Sequence, residues 1–481
     1  MSIIKKLVGD TAIYGIPSIV GRSINFLLIF FFTGFFTPEL LAPQIEFYAY
    51  AGFFFVVLPH GMETAFFNFA RVKESYKNVF ATAITSLLVV VALFSSWMLF
   101  NMQSVGDFTG YPNNLSYVVW FTIILSIDAL KSMPYALLRF LNKAKKFAIV
   151  KSLGITINVG LNIFFIVYYP DIAGVERSVE YIFISNLIAS GVEFLLLSPD
   201  ILNHFGKPSK ELWKKMFKYS WPLVILGLAG MVNETFDRLA LRKLLPPESV
   251  DFEIGVYGTF YKLSMLMTIF IQAFRFAAEP LFFSQADKQN AKDSYIEIMN
   301  YFVFACGGIF LATSLFKSEI AQLLIFKEEF HQHPDALLIV PILLLANMFL
   351  GIFFNLSIWY KLNNKTKLGA LITSIGAGVT IILLYIYVPQ YGFKAAAFTT
   401  LFAYFIMTII SYFLGQHYYP IKYDIKQIVF MIFLSIGLYF VDEFVAVDGW
   451  NMYLLKSILM VVYGLLGYRV LLSTKKTKFV A

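Results

Sequence analysis

Charge and cysteine are what this chain has least of. Asp, Glu, Lys and Arg together make up 14% of its 481 residues, against about a quarter in a typical soluble domain. That shortage excludes a water-soluble fold, whose surface needs a charged coat. Disorder is excluded as well, because it requires low hydrophobicity and high charge. The single cysteine, Cys306, sits in an apolar run. One thiol forms neither an intramolecular disulfide nor a CxxC metal site. No G-x-x-x-x-G-K-[ST] run occurs, so this chain carries no ATP-driven engine of that type. Long polar segments are missing too: the longest on the side assigned below as outside, near 101–116 and 317–336, hold 16 and 20 residues and fit no soluble domain.

What is present is apolar. Hydrophobic residues reach 59% with 53 Phe, and the mean hydropathy is +0.71. Apolar runs of spanning length fall near 11–36, 45–69, 79–100, 117–138, 147–168, 179–197, 219–241, 254–278, 295–316, 337–358, 368–388, 394–414, 425–445 and 452–472. A helix needs about 20 such residues to cross a bilayer. The runs are too long for barrel strands and lack period-2 alternation. The expectation is an all-α polytopic membrane protein with about 14 transmembrane helices. The run at 11–36 exceeds a signal-peptide core of about 7–15 residues and is read as the first span rather than a leader.

Basic residues orient it. With a cytoplasmic N-terminus, 26 of the 38 Lys and Arg fall on inside segments and 6 outside, the rest lying within spans. That bias follows the positive-inside rule and puts both termini in the cytoplasm. The net charge of +8 therefore reflects topology, and nucleic acid is not an expected partner.

The segment Ser198–Lys218 separates the sixth and seventh runs. It holds Pro199, Gly206 and Pro208, then a lysine-rich stretch whose Leu212, Trp213, Met216 and Phe217 share one helical face. A short amphipathic helix on the inner leaflet is expected there. The chain then divides into 1–197 (six spans), the linker 198–218, 219–414 (six spans) and 415–481 (two spans and a basic tail). In transporters built from repeats, substrate sites lie between repeats near mid-membrane.

Ionisable side chains inside a bilayer cost several kcal/mol unless paired or hydrated, so those present are the functional candidates. Asp128 and Lys131 are i,i+3; Glu234 and Arg238 are i,i+4 with Asp237 adjacent; Arg275 and Glu279 are i,i+4. Such spacings let opposite charges neutralise one another on one helix face, as coupling or structural pairs. Arg22, Glu63, Glu193 and Lys262 have no partner within a turn. Arg22 lies midway along the first span with Ser18 and Asn25 on its face, a polar stripe suited to a hydrated cavity. Its two readings are ligand contact and an interhelix pair, with Glu63 as the partner. Arg22, Lys262 and Arg275 make the expected cavity cationic, which suits an anionic substrate, since Arg engages phosphate oxygens bidentately. Glu63 and Glu193 keep cation coupling open. His60 and Glu63 are i,i+3 but too few for a metal site, and a hydrogen-bonded pair is the expected reading; His331 and His333 are loop residues. No metal or cofactor is expected. A carboxylate cluster at the membrane face, which a polytopic transferase or polymerase needs, is absent, so the chain is not expected to be an enzyme.

Several segments carry a resemblance. They are Gly9-Asp-Thr-Ala-Ile-Tyr-Gly15 leading to Arg22, Gly61-Met-Glu-Thr-Ala-Phe-Phe67, Tyr219-Ser-Trp-Pro-Leu223 with Asp237-Arg238, Gly258-Thr-Phe-Tyr-Lys262, and Phe270-Ile-Gln-Ala-Phe-Arg-Phe-Ala-Ala-Glu-Pro280. In this order the chain resembles the multidrug/oligosaccharidyl-lipid/polysaccharide exporter superfamily, and more closely the Wzx-type polysaccharide-biosynthesis flippases of Bacteroidetes-like bacteria. The resemblance implies two six-helix lobes in a V plus two C-terminal helices, the latter grooved for a lipid tail. It implies alternating-access transfer of an undecaprenyl-pyrophosphate-linked oligosaccharide across the bacterial inner membrane, for O-antigen, capsule or exopolysaccharide synthesis. Membrane lipids and polysaccharide polymerase machinery are the implied partners. By position Arg22 and Arg275 match basic cavity residues of that family, and Glu279 departs from its pattern. Tyr14, Tyr48, Tyr257 and Tyr261 are candidates for stacking on sugar rings. The alternative is a Na⁺- or H⁺-coupled small-molecule exporter of the same superfamily.

Overall fold

A computed structural model describes residues 21–479 apart from 22, 25, 71–75, 286–290, 364, 446 and 448. It is helical, with no strand among the described residues. Backbone polar groups have no water to turn to in a bilayer, and a helix satisfies them within one segment. The chain packs as two compact units, Met1–Gly255 and Val256–Ala481.

In the first unit α1 spans Pro38–Val57, α2 Met62–Phe69, α3 Tyr76–Phe100, α4 Met102–Thr109, α5 Leu115–Phe140, α6 Ala144–Ile163, α7 Glu180–His204 and α8 Lys210–Leu244. α6 continues through a π-helical turn, Phe164–Tyr168, into Tyr169–Ala173. Helix α9, Val250–Gln285, begins in this unit and runs into the second. There α10 spans Ala291–Leu315, α11 Lys317–Leu324, α12 Ile339–Leu356, α13 Ile358–Leu362, α14 Thr366–Tyr391, α15 Phe393–Tyr418, α16 Ile425–Phe444 and α17 Trp450–Phe479.

Among the described residues, 12 helical stretches are long and apolar enough to cross a membrane. They coincide with the second to sixth and eighth to fourteenth expected runs. The first run is described from residue 21 on, apart from 22 and 25, and the described part is helical as far as Thr33. The seventh forms, but Asn233, Glu234, Asp237 and Arg238 make it too polar to count among the 12. The short helix expected after the linker does begin at Lys210, where Ser209 caps it by accepting from the Leu212 N–H. It does not stop, however: α8 runs 35 residues without a break.

The run at 45–69 is divided. α1 and α2 meet at a turn where His60 has φ 35° and Gly61 φ 71°, in the left-handed region. A side chain at 61 is unfavourable on a second count, since its Cβ would stand 2.9 Å from the Ser220 Cβ of α8. His60 Nε2 lies 2.8 Å from Ser86 Oγ, which also accepts from Trp213 Nε1 at 2.8 Å. Its other ring nitrogen lies 2.8 Å from the Leu58 carbonyl. The expected His60–Glu63 pair therefore does not form.

Below that turn Met62, Phe66, Phe80, Met133, Leu137 and Met216 form a buried core joining α2, α3, α5 and α8. A second aromatic centre gathers Tyr111, Tyr117, Phe121 and Phe183 around the buried Phe47 of α1. In the second unit α12 packs on α15 through Ala346, Phe353, Tyr404 and Met407. The C-terminal pair rests on α10: Tyr463 of α17 stacks on Phe304 and donates to its carbonyl at 2.8 Å. Leu93, Phe100, Phe398 and Phe433 point outward and are exposed, as expected of surfaces that meet acyl chains rather than water.

Candidate functional site

Three helix faces of the first unit carry polar residues at helical spacing. On α5 they are Asp128 and Lys131, on α6 Lys151, Gly154 and Asn158, and on α7 Asn186, Ser190 and Glu193. Intervals of three, four and seven place each set on one side of its helix. The three faces converge, with Tyr48 of α1, on a cavity of about 290 Å³.

Lys131 is the centre of the charge network. Its ammonium lies 2.7 Å from Asp128 Oδ1 and 2.8 Å from Glu193 Oε2, and donates to Ser190 Oγ at 2.9 Å. Of these three contacts the one to Ser190 is a hydrogen bond, and those to the two carboxylates are ion pairs. Ser190 donates onward to Asp128 Oδ1 at 2.8 Å. The expected Asp128–Lys131 pair is thus present, but the pair is part of a larger assembly. Glu193, expected to be without a partner, is held by Lys131 and is 3.9 Å from Lys151. Gly154 makes this possible: a Cβ there would stand 1.9 Å from Glu193 Oε1. Lys151, assigned from sequence to an inside segment, instead faces the cavity two turns into α6, also 5.3 Å above the Tyr135 ring. Tyr48 accepts a hydrogen bond from Asn186 Nδ2 at 2.5 Å.

A second cluster lies elsewhere in the same unit, and sequence reasoning missed it. Glu46 of α1 is 0% exposed. Arg242, near the end of α8, donates to Glu46 Oε2 at 2.8 Å, to Asp251 Oδ1 at 2.6 Å and to the Tyr111 hydroxyl. Tyr111 in turn donates to Glu46 Oε2 at 3.1 Å. Only an acid inside the run beginning at 45 signalled it, because its partners come from distant loops and helix ends.

Glu63, also expected to lack a neighbour or to meet Arg22, pairs with Arg139 of α5 at 2.6 Å, with the guanidinium over Phe67. Arg238 donates to the main-chain carbonyl of Glu234 at 3.0 Å and lies 3.5 Å from Asp237 Oδ1. The expected side-chain pairing of Glu234 with Arg238 is replaced by that carbonyl, and Glu234 itself is exposed. Arg22, Asn25 and Tyr14 lie outside the described residues, so the structure places none of them. In the second unit Arg275 stacks over Phe354 at 4.1 Å and borders a narrow cleft with Asn355, Ser357 and Lys361. Lys262 is half-buried on α9 and Tyr257 and Tyr261 are buried. The side chain of Glu279 is outside the described residues. Among the described residues no three His, Cys, Asp or Glu come together as a metal site.

By sequence, no known family and no curated protein matches the chain. Solved structures do match by fold. A lipid II flippase, MurJ, in an inward closed conformation has a TM-score of 0.75 at 16% identity, covering 95% of this chain and 99% of its own. A multidrug resistance MATE family transporter of the MOP superfamily matches in its inward-facing conformation with a TM-score of 0.65 at 15% identity, covering 85% and 94%. An outward-facing MATE structure gives 0.59 at 16% identity over 85% and 95%. At these identities the likeness establishes the fold alone: an all-helical architecture also found in a lipid II flippase and in MATE family transporters.

Proposed function

We propose that the chain is a flippase that carries an undecaprenyl-pyrophosphate-linked oligosaccharide from the inner to the outer leaflet of a bacterial cytoplasmic membrane. The observation that carries this reading is the fold likeness to a lipid II flippase over nearly the full length of both chains. The MATE structures cover 85% of this chain against 95%. A difference of that size is what additional helices make, and α16 and α17 are the natural candidates.

The chemistry supports the same reading. A glycan head crossing hydrocarbon unaided loses the hydration of every hydroxyl, at several kcal/mol each without new partners. A polar, charged interior replaces that water while the prenyl tail remains in the bilayer. Arg22, Lys262 and Arg275 are the proposed partners of the pyrophosphate. Lys361, which borders the same cleft as Arg275, joins them. The exported unit would then reach a polysaccharide polymerase.

A cation-coupled small-molecule exporter is the second reading. The acids Asp128 and Glu193 in the cavity of the first unit favour it. Against it, Lys131 already occupies the place between both carboxylates.

The test is reconstitution in liposomes with a labelled undecaprenyl-pyrophosphate oligosaccharide. Rapid exposure of label on the far leaflet, slowed in Arg22→Ala and Arg275→Ala, is the expected result. Exposure no faster than in empty liposomes, with imposed ion gradients and several glycans tried, overturns the flippase in favour of the exporter.

A further inference from the structure

The cavity between α1, α5, α6 and α7 has features beyond those a structural charge network requires. Its volume, about 290 Å³, lies at the lower edge of the range for small-molecule pockets, roughly 300–1,000 Å³. That is room for one pyranose ring rather than a disaccharide. One wall is aromatic: the half-exposed Tyr48 ring lies nearly parallel to Phe183, 14° apart at 6.2 Å, which fixes its orientation. Flat aromatic faces suit the C–H face of a sugar. Around that wall stand Asn158 and Asn186, whose amides offer both donors and acceptors. Asp128 adds an acceptor.

The two lysines differ in what they have left to give. Lys131 is enclosed by protein groups, with Asp128, Ser190 and Glu193 oxygens within 2.9 Å of its ammonium. Lys151 is 35% exposed at its side chain, and its nearest carboxylate oxygen is 3.9 Å away, beyond hydrogen-bond length. Its donors remain available to a guest. Glu193 would lose little if Lys151 turned away, because Lys131 still holds it. An inorganic cation is disfavoured here, since an ammonium already sits between the two acids. A greasy guest is disfavoured because the floor is charged.

We propose that this cavity is a sugar subsite that takes one acidic monosaccharide unit of the transported glycan. The ring stacks on Tyr48, its hydroxyls bond Asn158, Asn186 and Asp128, and its carboxylate pairs with Lys151. This rests on the flippase reading for its role in transport, but the binding event is separable from it. The probes are methyl glucuronide and methyl glucoside, free of any lipid, added to the full-length protein in nanodiscs and followed by saturation-transfer NMR. Wild type should bind the glucuronide in preference to the glucoside. Lys151→Gln should weaken the glucuronide roughly tenfold or more, as loss of a charge-assisted hydrogen bond does, and leave the glucoside unchanged. Tyr48→Leu should weaken both, and Lys151→Arg should restore the preference. Equal binding of the two sugars, no binding of either, or a Lys151→Gln variant that binds like wild type overturns the proposal. Flipping of lipid-linked probes is measured alongside. Its failure for every probe removes the flippase reading, whereas the lipid-free glucuronide result still decides the subsite.

Discussion

The two units use charge differently. In the first, one ion pair joins two helices near their middles, Lys131 of α5 with Glu193 of α7, while Arg139 at the end of α5 meets Glu63 at the start of α2 and Arg242 at the end of α8 meets Glu46 of α1. In the second, the ion pairs described stand at helix ends. Lys317 meets Glu443 at the end of α16, Lys394 at the start of α15 meets Asp335 of a loop, and Lys456 in the second turn of α17 meets Glu319 of α11. A partly exposed end pair such as Lys394–Asp335 costs little to maintain, because water and headgroups share the solvation. Pairs along a bundle do not have that help, and they persist where a polar interior is needed. The mid-helix pair of the first unit borders a polar cavity, while the core of α12 to α15 is packed from Trp359, Ile372, Tyr404 and Met407.

Substitutions can break that contrast, starting with the largest effect. Lys131→Ala strands the buried Glu193 carboxylate and takes the cation from the half-buried Asp128. It should cost the upper end of about 3–5 kcal/mol, read as a steep fall in thermal midpoint in detergent. Adding Asp128→Asn and Glu193→Gln should recover most of the loss; a single variant as stable as wild type would dissolve the contrast. Arg242→Ala strands one buried acid, Glu46, whose Tyr111 partner remains, and should sit near 3 kcal/mol on the same scale. Gly154→Ala places a methyl where Glu193 Oε1 now stands, 1.9 Å from the new Cβ. Overpacking of that kind costs about 1–3 kcal/mol, and Gly154→Ala combined with Glu193→Gln should show non-additive midpoints. Lys394→Ala sharpens the other side. Its pair with Asp335 is partly exposed on both members and should be worth at most about 1 kcal/mol.

Much of the architecture was legible because bilayer thickness imposes one length on every span. Twelve expected runs have counterparts among the described helices. The seventh was legible as a helix yet not as one rod, since the lysine-rich stretch and Pro222 together look like a boundary, and the helix runs through both. The site was less legible. Spacing along one helix found Asp128–Lys131. It could not find Glu193–Lys131, 62 residues apart, or Glu63–Arg139, 76 apart. Contacts between helices leave no periodic trace. The stripe Asn186, Ser190, Glu193 was visible in principle, as three polar residues on one face of an apolar run. That Lys151 faces a cavity was not legible, because a lysine near a span end reads as a topology signal whichever way it points.

The length of α8 has a mechanical consequence. At about 1.5 Å per residue its 35 residues measure about 52 Å, well beyond the roughly 30 Å of a hydrocarbon core. The turn at Gly61 presses on this rod at Ser220, two residues before Pro222, where the helix lacks a backbone donor. Ser220 therefore marks where the Gly61 turn packs closely on the rod. The shorter stretch before it carries the lysines of 210–218, and the longer stretch, about twice its length by the same rise per residue, ends at Arg242. One unbroken helix thus joins the lysine-rich segment to the grip on Glu46.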